Sequence, residues 1–365
     1  MNKYWFYKVG LVVVFLCFAL LGGAKVKLPT LVSDGMVLQR GEPVNIWGTA
    51  DPDETVDITF LKKKYKTVAD VQGNWKVTLP ILKAGGPYTM AINDIELKDI
   101  LIGDVWVCSG QSNMELPVSR VTDRFRDEIS TDSNYSMVRY IKTPLLYNFH
   151  APQADIPGIS WQAMTPENVM PFSALAYFFA KDVYQKTKVP VGIINSSVGG
   201  SPVEAWISEG GLKPFPFYLN EKRIYESDDL MESMKKEERK KSHAWNVALF
   251  QGDKGMHEAT PWYAADYDDS NWTETDLFTS GWATNGLNTV NGSHWFRKDF
   301  QVSAQQAGEK ATLRLGCIVD ADSVYVNGTF VGTVSYQYPP RIYTIPAGLL
   351  KAGKNTITIR LFSYG

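Results

Sequence analysis

Ser112 stands in a stretch whose residue types and spacing suit nucleophilic catalysis. It follows Val105–Cys108, an apolar run bounded by Gly103 and Gly110, which predicts a buried strand that ends in a turn. Open α/β sheets bind ligands beyond the carboxyl ends of their strands, and a glycine turn lets backbone N–H groups face that space. A hydroxyl placed there can attack an acyl carbonyl while an N–H group stabilises the oxyanion.

A purely structural role for Ser112 is the alternative. Glu115 follows three residues later, so the pair matches a capping box at the start of a helix. The Gly-x-Ser triplet alone does not separate the two roles, because such short motifs often occur by chance.

The stretch after residue 172 predicts the elements that must position this hydroxyl. Ser173 predicts the N-cap of an amphipathic helix, and Val189–Ile194 predicts a strand. Strand, helix and strand in this order favour a parallel sheet. The apolar positions assigned to the helix are Leu175, Phe178, Phe179, Val183 and Tyr184.

A second polar turn, Asn195–Trp206, follows this strand and contains Gly199 and Gly200. If the two strands are neighbours, the glycine backbone approaches Ser112 from the side and can donate an N–H group to the oxyanion. Glycine suits such a close approach because it has no side chain. A plain glycine turn without a catalytic role is the alternative.

The string Gly-Gln-Ser-Asn-Met at residues 110–114, after a Val-Trp-Val strand, resembles the nucleophile block of the sialate O-acetylesterase family, a branch of the SGNH (GDSL-like) esterases. Gln111 stands where the wider superfamily has Asp. Asn195–Trp206 is similar to the second block of the family, except that Val198 replaces an expected Trp and Ser201 an expected Thr. These two departures concern the fit of the substrate more than the oxyanion.

The resemblance implies roles for five residues. Ser112 is the nucleophile, Gly199 and Gly200 are candidates for the oxyanion hole together with the N–H group of Ser112, and Gln111 and Asn113 are candidates for the substrate pocket. The implied fold is α/β, with an SGNH-hydrolase-like parallel sheet, an N-terminal β-sandwich and an inserted jelly-roll β-domain of the galactose-binding type.

A serine nucleophile also needs a base, which in serine hydrolases is a histidine oriented by a carboxylate. The resemblance implies an Asp-x-x-His motif near the carboxyl end, preceded by a Trp-x-Gln-Gly-Glu-x-Asn block, and neither string occurs. His150, His243 and His257 lack an Asp three residues upstream, and His294 lies in a predicted strand. Phe250–Asp253 matches the Gln-Gly-Glu block only weakly. We therefore expect a carboxy-terminally truncated form without the His–Asp pair.

The first segment predicts an export signal. Lys3 and Lys8 precede the apolar run Val9–Leu21, and small residues follow up to Ala24. This pattern is typical of a secretory signal peptide cleaved near Ala24, which places the mature protein in the periplasm or outside the cell. No other stretch reaches about 20 apolar residues, so no membrane span is predicted.

Composition narrows the possible partners and cofactors. A net charge of −2 gives no electrostatic reason to expect nucleic acid as a partner. Cys108 and Cys317 remain after the signal, too few for a disulfide scaffold, and Cys108 is expected to be an apolar filler of its strand. The histidines show no paired spacing, so we expect no metal and no other cofactor. The oligomeric state stays open.

Four segments are predicted: the signal peptide at 1–24, the β-sandwich at 25–100, the incomplete α/β esterase domain at 101–258 and the jelly roll at 259–365. Alternating apolar residues with turns at Gln72–Asn74 and Asn327–Gly328 predict β-hairpins there. Val121–Pro157 is interpreted as loops that shape a pocket, and Glu221–Ser242 as a charged surface helix.

The predicted function is that of an exported serine acetylesterase, which removes O-acetyl groups from sialic acid or a related acetylated sugar. Deacetylation of xylan or another polysaccharide is an alternative. A carbohydrate-binding protein without catalysis is a second one, because the base is missing and exposed aromatic residues of the β-domain are able to stack on sugar rings.

Overall fold

The computed structural model describes residues 26–130, 135–275 and 291–364. The chain forms two compact units, Met1–Glu226 and Ser227–Gly365. The predicted signal peptide, residues 1–24, lies outside the described residues. In the ranges that are described, no helix is both long and apolar enough to cross a membrane.

The first unit is a β-rich α/β structure. Its strands are β1 (Val37–Gln39), β2 (Val44–Thr49), β3 (Thr55–Phe60), β4 (Lys63–Val68), β5 (Asn74–Leu79), β6 (Gly85–Ile92), β7 (Ile95–Gly110), β8 (Tyr135–Lys142), β9 (Gln162–Met164) and β10 (Val191–Ser197). Its helices are α1 (Ser112–Glu115), α2 (Thr122–Ser130), α3 (Ala174–Thr187), α4 (Glu209–Leu212) and α5 (Pro216–Tyr225), with 3₁₀ turns at Val118–Arg120 and Val203–Trp206.

One long strand, β7, organises this unit. The main sheet has the order β4-β3-β6-β7-β10-β8-β9, and β1 also pairs with β7. The first part of β7 is antiparallel to β6, whereas its second part is parallel to β10. Because β10 is also parallel to β8, the predicted parallel sheet is confirmed. The strand passes through residue 100 without a break.

Two cores stabilise the first unit. One lies among the N-terminal strands and includes Ile46, Ile58 and Phe60, which are almost fully buried. The other lies between α3 and the parallel strands and includes Tyr177 and Ile193. The parallel strands that carry the candidate site are therefore supported by packing on the side of α3.

Two predictions about this unit are wrong. Val121–Pro157 is not all loop, because it contains α2 and β8; β8 completes the group of three parallel strands. The turn around Gln72–Asn74 does not join a two-stranded hairpin, since β5 pairs with β2 and β4 pairs with β3. Local turn residues specify that the chain reverses, but the partner of each strand is chosen by burial of its apolar face.

The predicted helix after Ser173 is confirmed as α3, and the Ser173 side chain accepts a hydrogen bond from the N–H group of Ala176. Its predicted inner face is partly wrong, because Leu175 and Phe179 are exposed. The buried positions are instead Ala174, Ala176, Tyr177 and Ala180. Small alanines let the helix approach the sheet closely, whereas sequence periodicity favoured the larger residues.

The second unit combines a long helix with antiparallel sheets. Its elements are α6 (Asp228–Gly252), α7 (Lys254–His257), β11 (Gly292–Val302), β12 (Ala311–Gly316), β13 (Ala321–Val326), β14 (Thr329–Val334), β15 (Arg341–Ile345) and β16 (Gly353–Ser363). The sheets have the orders β11-β16-β13-β14 and β12-β15. The hairpin at Asn327–Gly328 is confirmed, with φ of 49° and 83°, as a type I′ turn requires.

The charged stretch Glu221–Ser242 begins in α5 and continues in α6, which has no buried residue. Asp253 ends α6 and is buried, where its carboxylate accepts hydrogen bonds from Arg360 at 2.6 Å and from the Trp295 indole at 2.9 Å. The weak Gln-Gly-Glu match at this position is therefore a structural link between the helices and the sheet. The finer segment boundaries at 24, 100 and 258 stay predictions.

Candidate functional site

Ser112 lies just beyond the carboxyl end of β7, as the sequence predicts. Gly110 has a φ of +142°, a backbone conformation that L side chains rarely adopt, and Ser112 is the first residue of α1. The side chain is exposed to solvent. The turn therefore presents the hydroxyl at the edge of the sheet, where a ligand can reach it.

The capping-box alternative is wrong. Gln111 is the N-cap residue of α1, and no side chain caps this helix. The carboxylate of Glu115 does not bond back to the start of the helix; its Oε2 accepts a hydrogen bond from the N–H group of Gly199 at 2.6 Å. The glutamate of the Ser-x-x-Glu pattern therefore connects α1 to the turn after β10 and does not cap the helix.

The second turn meets Ser112 because β10 and β7 are neighbours. Their register runs from Val191 opposite Asp104 to Ser197 opposite Gly110, so both strands end at the same level. A Cβ atom added at Gly199 would lie 3.3 Å from Ser112 Oγ and 2.7 Å from Glu115 Oε2. A side chain at position 199 would therefore crowd the hydroxyl. A Cβ atom at Gly200 would meet open space, although the φ of Gly200 is +77°.

Two charged side chains, Glu115 and Lys142, also lie at this site, although the sequence predicted at most a helix-capping role for Glu115. Lys142, at the end of β8, places its Nζ 3.9 Å from Glu115 Oε1. Glu115 thereby links the ends of three parallel strands: it follows β7, accepts from the turn after β10 and faces the cation at the end of β8. The sequence did not predict a place for Lys142 at this site, because β8 lies in the stretch that was interpreted as loops.

A buried amide holds the two turns together from below. Asn195 on β10 is fully buried, and its Nδ2 donates to the carbonyl oxygens of Cys108 at 3.3 Å and Met114 at 3.5 Å. Its Oδ1 accepts a hydrogen bond of 2.8 Å from the Ser197 hydroxyl. A buried polar group is retained when its hydrogen bonds are satisfied, as they are here. Asn195 therefore fixes α1 against β10.

The pocket candidates differ in their contacts. Gln111 donates its side-chain amide to the carbonyl oxygen of Ser201 and so joins the two turns, whereas Asn113 is exposed on α1. The Ser201 hydroxyl donates to Val198 O at 2.7 Å and accepts from the Trp206 indole at 2.9 Å. The hydroxyl at position 201 therefore has a structural role within the turn.

Cys108 lies in β7 near the site but is not suited to be a nucleophile. It is buried, and desolvation raises the pKa of its thiol. A raised pKa lowers the fraction of the reactive thiolate at neutral pH. The interpretation of Cys108 as an apolar filler fits this environment.

The strand before Ser112 is less buried than predicted. Trp106 is 45% exposed and Val107 is 69% exposed, while Cys108 is buried. Trp106 packs against Phe179 of α3, with ring centroids 5.1 Å apart. The apolar run predicted burial of both faces, but within the described residues a helix covers only part of one face.

Among the described residues of the first unit, His150 is the only histidine. His150 lies in the exposed loop after β8, and His243, His257 and His294 belong to the second unit. His257 contacts the carbonyl oxygen of Phe250 at 2.8 Å. Across the same described ranges, no group of three or more His, Cys, Asp or Glu residues is arranged to hold a metal ion.

The arrangement has several of the features that an acyl transfer requires. It provides an accessible hydroxyl at a strand end and, beside it, a glycine that has no side chain to block the approach of a substrate. The N–H group of this glycine is hydrogen-bonded to Glu115. Proton removal from the hydroxyl needs a base in addition.

Several known proteins are similar to this chain in sequence. Residues 102–270 match the family described as carbohydrate esterase, sialic acid-specific acetylesterase. The chain is 33% identical over 213 residues to a human sialate O-acetylesterase, covering 52% of this chain and 40% of that protein. It is 31% identical over 230 residues to the rat sialate O-acetylesterase, and this match covers 56% of this chain and 42% of the rat protein.

A solved carbohydrate acetylesterase from Xanthomonas citri is also similar. It is 39% identical, with a TM-score of 0.49, and the match covers 51% of this chain and 43% of that one. The chain spans about two fifths of the length of the curated relatives that it matches. The matched segment contains Ser112, Gly199 and Gly200.

Proposed function

Because the chain belongs to the sialate O-acetylesterase family, we propose that it acts as a serine esterase on O-acetyl groups of sialic acid or a related acetylated sugar. The observation that carries this proposal is the contact between the two turns, which puts Gly199 beside the exposed hydroxyl of Ser112. This closeness supports the assignment of Ser112 as the nucleophile and of Gly199 and Gly200 as oxyanion-hole residues, which is part of the proposal.

The proposed reaction begins with attack of Ser112 Oγ on the acetyl carbonyl carbon. The carbon–oxygen π electrons move to the carbonyl oxygen, and the hydroxyl proton passes to a base. The N–H groups of Ser112 and of Gly199 or Gly200 stabilise the oxyanion. Collapse of the intermediate releases the sugar hydroxyl, and water then hydrolyses the acetyl-serine to acetate.

The Glu115 carboxylate competes with the substrate for the N–H group of Gly199. Its carboxylate holds the Gly199 N–H group at 2.6 Å, which is a short charge-assisted hydrogen bond. For Gly199 to stabilise an oxyanion, the substrate oxygen must displace the Glu115 carboxylate from the Gly199 N–H group or share this N–H group with it. Gly200 is the alternative donor. Gln111 and Asn113 remain the proposed contacts to the sugar.

The decisive experiment compares S112A with S119A, a change at an exposed serine outside the site. Both proteins, and the unchanged chain, are treated with a fluorophosphonate probe and assayed for acetate release from an O-acetylated sialic acid. We expect S112A to lose any labelling and release that the unchanged chain shows, while S119A keeps both at the level of the unchanged chain. Labelling or release that survives in S112A would refute the assignment.

Substrate class is tested with the same assay. Acetate release from acetylated xylan, without release from O-acetylated sialic acid, would favour a polysaccharide deacetylase. A protein that binds glycan but is neither labelled nor active would favour the non-catalytic alternative.

The finer architecture and the cellular location also belong to the proposal. We propose that the antiparallel sheets of residues 259–365 form a jelly roll of the galactose-binding type, and that residues 1–24 direct export before cleavage near Ala24. The mass of the protein recovered from the cell exterior tests the second point.

A further inference from the structure

A pair of exposed tyrosines marks a second surface of interest, within the second unit. Tyr336 and Tyr338 lie between β14 and β15 and are 53% and 59% exposed. Their ring centroids are 5.1 Å apart and the ring planes meet at 80°. Val319, on a neighbouring loop, is 55% exposed. Two adjacent exposed aromatic rings provide faces on which a ligand ring can stack.

The loops that carry these residues are held by a buried cation. The side chain of Arg341 is completely buried and forms an ion pair of 2.7 Å with Asp322, which is also buried. The same guanidinium donates to the carbonyl oxygens of Pro339 at 2.6 Å and Gln337 at 3.3 Å. These bonds fix the backbone on either side of Tyr338.

Arg341 also fixes the neighbouring loop. Its second terminal nitrogen donates to the carbonyl oxygens of Ile318 at 2.5 Å and Asp320 at 3.0 Å, on either side of Val319. The Cys317 thiol donates to Tyr338 O at 3.4 Å and joins the two loops directly. The exposed side chains therefore stand on a backbone that is ordered before any ligand binds, which lowers the entropic cost of binding.

We propose that Tyr336 and Tyr338 form a binding site for one pyranose ring of a glycan, separate in its residues from the Ser112 site. The ring face of one tyrosine stacks on the C–H face of the sugar, while the perpendicular ring and the phenolic hydroxyls contact its edge. The choice of a sugar as the ligand rests on the proposed function.

Size favours a sugar over a protein. A stable protein interface buries about 800 Å² on each partner, from roughly 20 to 30 residues. Two tyrosines and one valine provide only a small part of such an area, but they match a single sugar ring. A second copy of this chain is therefore a less suitable occupant, and its binding is one outcome of the test.

The test is saturation-transfer NMR on the full chain with two unacetylated probes, 3′-sialyllactose and xylohexaose. Neither probe carries an ester, so binding does not depend on turnover at Ser112. We expect at least one probe to bind and the double variant Y336A/Y338A to weaken it by about tenfold or more, since aromatic contacts contribute energies of this order.

Two variants serve as controls. Y336F/Y338F keeps both rings and is expected to retain binding within about threefold if stacking dominates. F330A removes another exposed aromatic ring of this unit, which packs on Tyr325 at 5.7 Å, and should leave binding unchanged. Circular dichroism checks that each variant is folded.

Three results would overturn the proposal: no binding of either probe, equal binding by Y336A/Y338A, or a Tyr-dependent dimer in sedimentation without sugar binding. Acetate release tests the proposed function independently. Release without tyrosine-dependent binding would refute only this site, whereas tyrosine-dependent binding together with labelling that survives in S112A would refute only the esterase.

Discussion

At the scale of single residues, the candidate site depends on which groups occupy the space beside one hydroxyl. Gly199 approaches Ser112 closely, and its N–H group donates a hydrogen bond to the Glu115 carboxylate. This carboxylate is in turn near Lys142. The groups that matter therefore come from the ends of three parallel strands: a serine and a glutamate after β7, a glycine after β10 and a lysine at the end of β8.

A methyl group at position 199 tests this geometry. In G199A the new Cβ atom would lie 2.7 Å from Glu115 Oε2 and 3.3 Å from Ser112 Oγ, so the turn or the hydroxyl must shift. We expect the rate of fluorophosphonate labelling of Ser112 to fall by about tenfold or more, as misplacement of a reacting group does. Labelling is followed by mass spectrometry.

The matched control is G252A, because a Cβ atom at Gly252 would meet nothing within 4 Å. Its labelling rate should equal that of the unchanged chain. Equal rates for G199A and the unchanged chain would mean that Gly199 is only a turn residue.

At the scale of elements, the start of α3 is the point where three elements meet. Ser173 is buried; its hydroxyl caps α3 through Ala176 N and lies 3.7 Å from the sulfur of Met114 in α1. Its N–H group donates to the Tyr140 hydroxyl of β8 at 3.0 Å. Burial raises the pKa of Tyr140 to about 12, so this phenol stays protonated at neutral pH.

Loss of this cap should destabilise the first unit. S173A removes the acceptor for Ala176 N, and we expect the free energy of unfolding to fall by about 1 kcal/mol. T187A at the other end of α3 removes two exposed hydrogen bonds, one donated to Val183 O and one accepted from Val189 N, and should change it by less than about 0.5 kcal/mol. Urea unfolding of both variants measures the difference; equal effects would contradict the capping role.

At the scale of the whole molecule, the chain forms two compact units, each with its own core. The first unit has the two cores described above, and the second has a smaller one around Val326, Ile345 and Leu350. The second unit is also stabilised by buried ion pairs, Arg341 with Asp322 and Arg360 with Asp253. Its stability should therefore depend on charges more than that of the first unit.

Removal of one member of a buried pair tests this dependence. D322A leaves the buried Arg341 without its partner and takes the acceptor from the Tyr343 hydroxyl, so we expect a loss of about 3–5 kcal/mol in the second unit. K354A breaks the exposed ion pair with Asp299, leaves the Thr356–Asp299 hydrogen bond in place and should cost less than about 1 kcal/mol. Calorimetry should show the lower unfolding temperature of D322A in one transition only. Similar losses in both variants would contradict this account.

Much of the site was predictable from local sequence. The strand end before Ser112, the cap at Ser173, the glycine turn after β10 and the hairpin at Asn327–Gly328 all depend on residues close in the chain. Turn chemistry and capping are local interactions, so their signals survive in the sequence. The family resemblance depends on the same local strings.

Tertiary structure alone decided which groups meet. The pairing of β7 with β10 brings Gly199 to Ser112, and the addition of β8 brings Lys142 to Glu115. The Glu115 carboxylate, which local sequence assigned to a helix cap, bonds to a residue 84 positions away. Strand partners and helix faces are chosen by burial over the whole unit, and no local pattern records that choice.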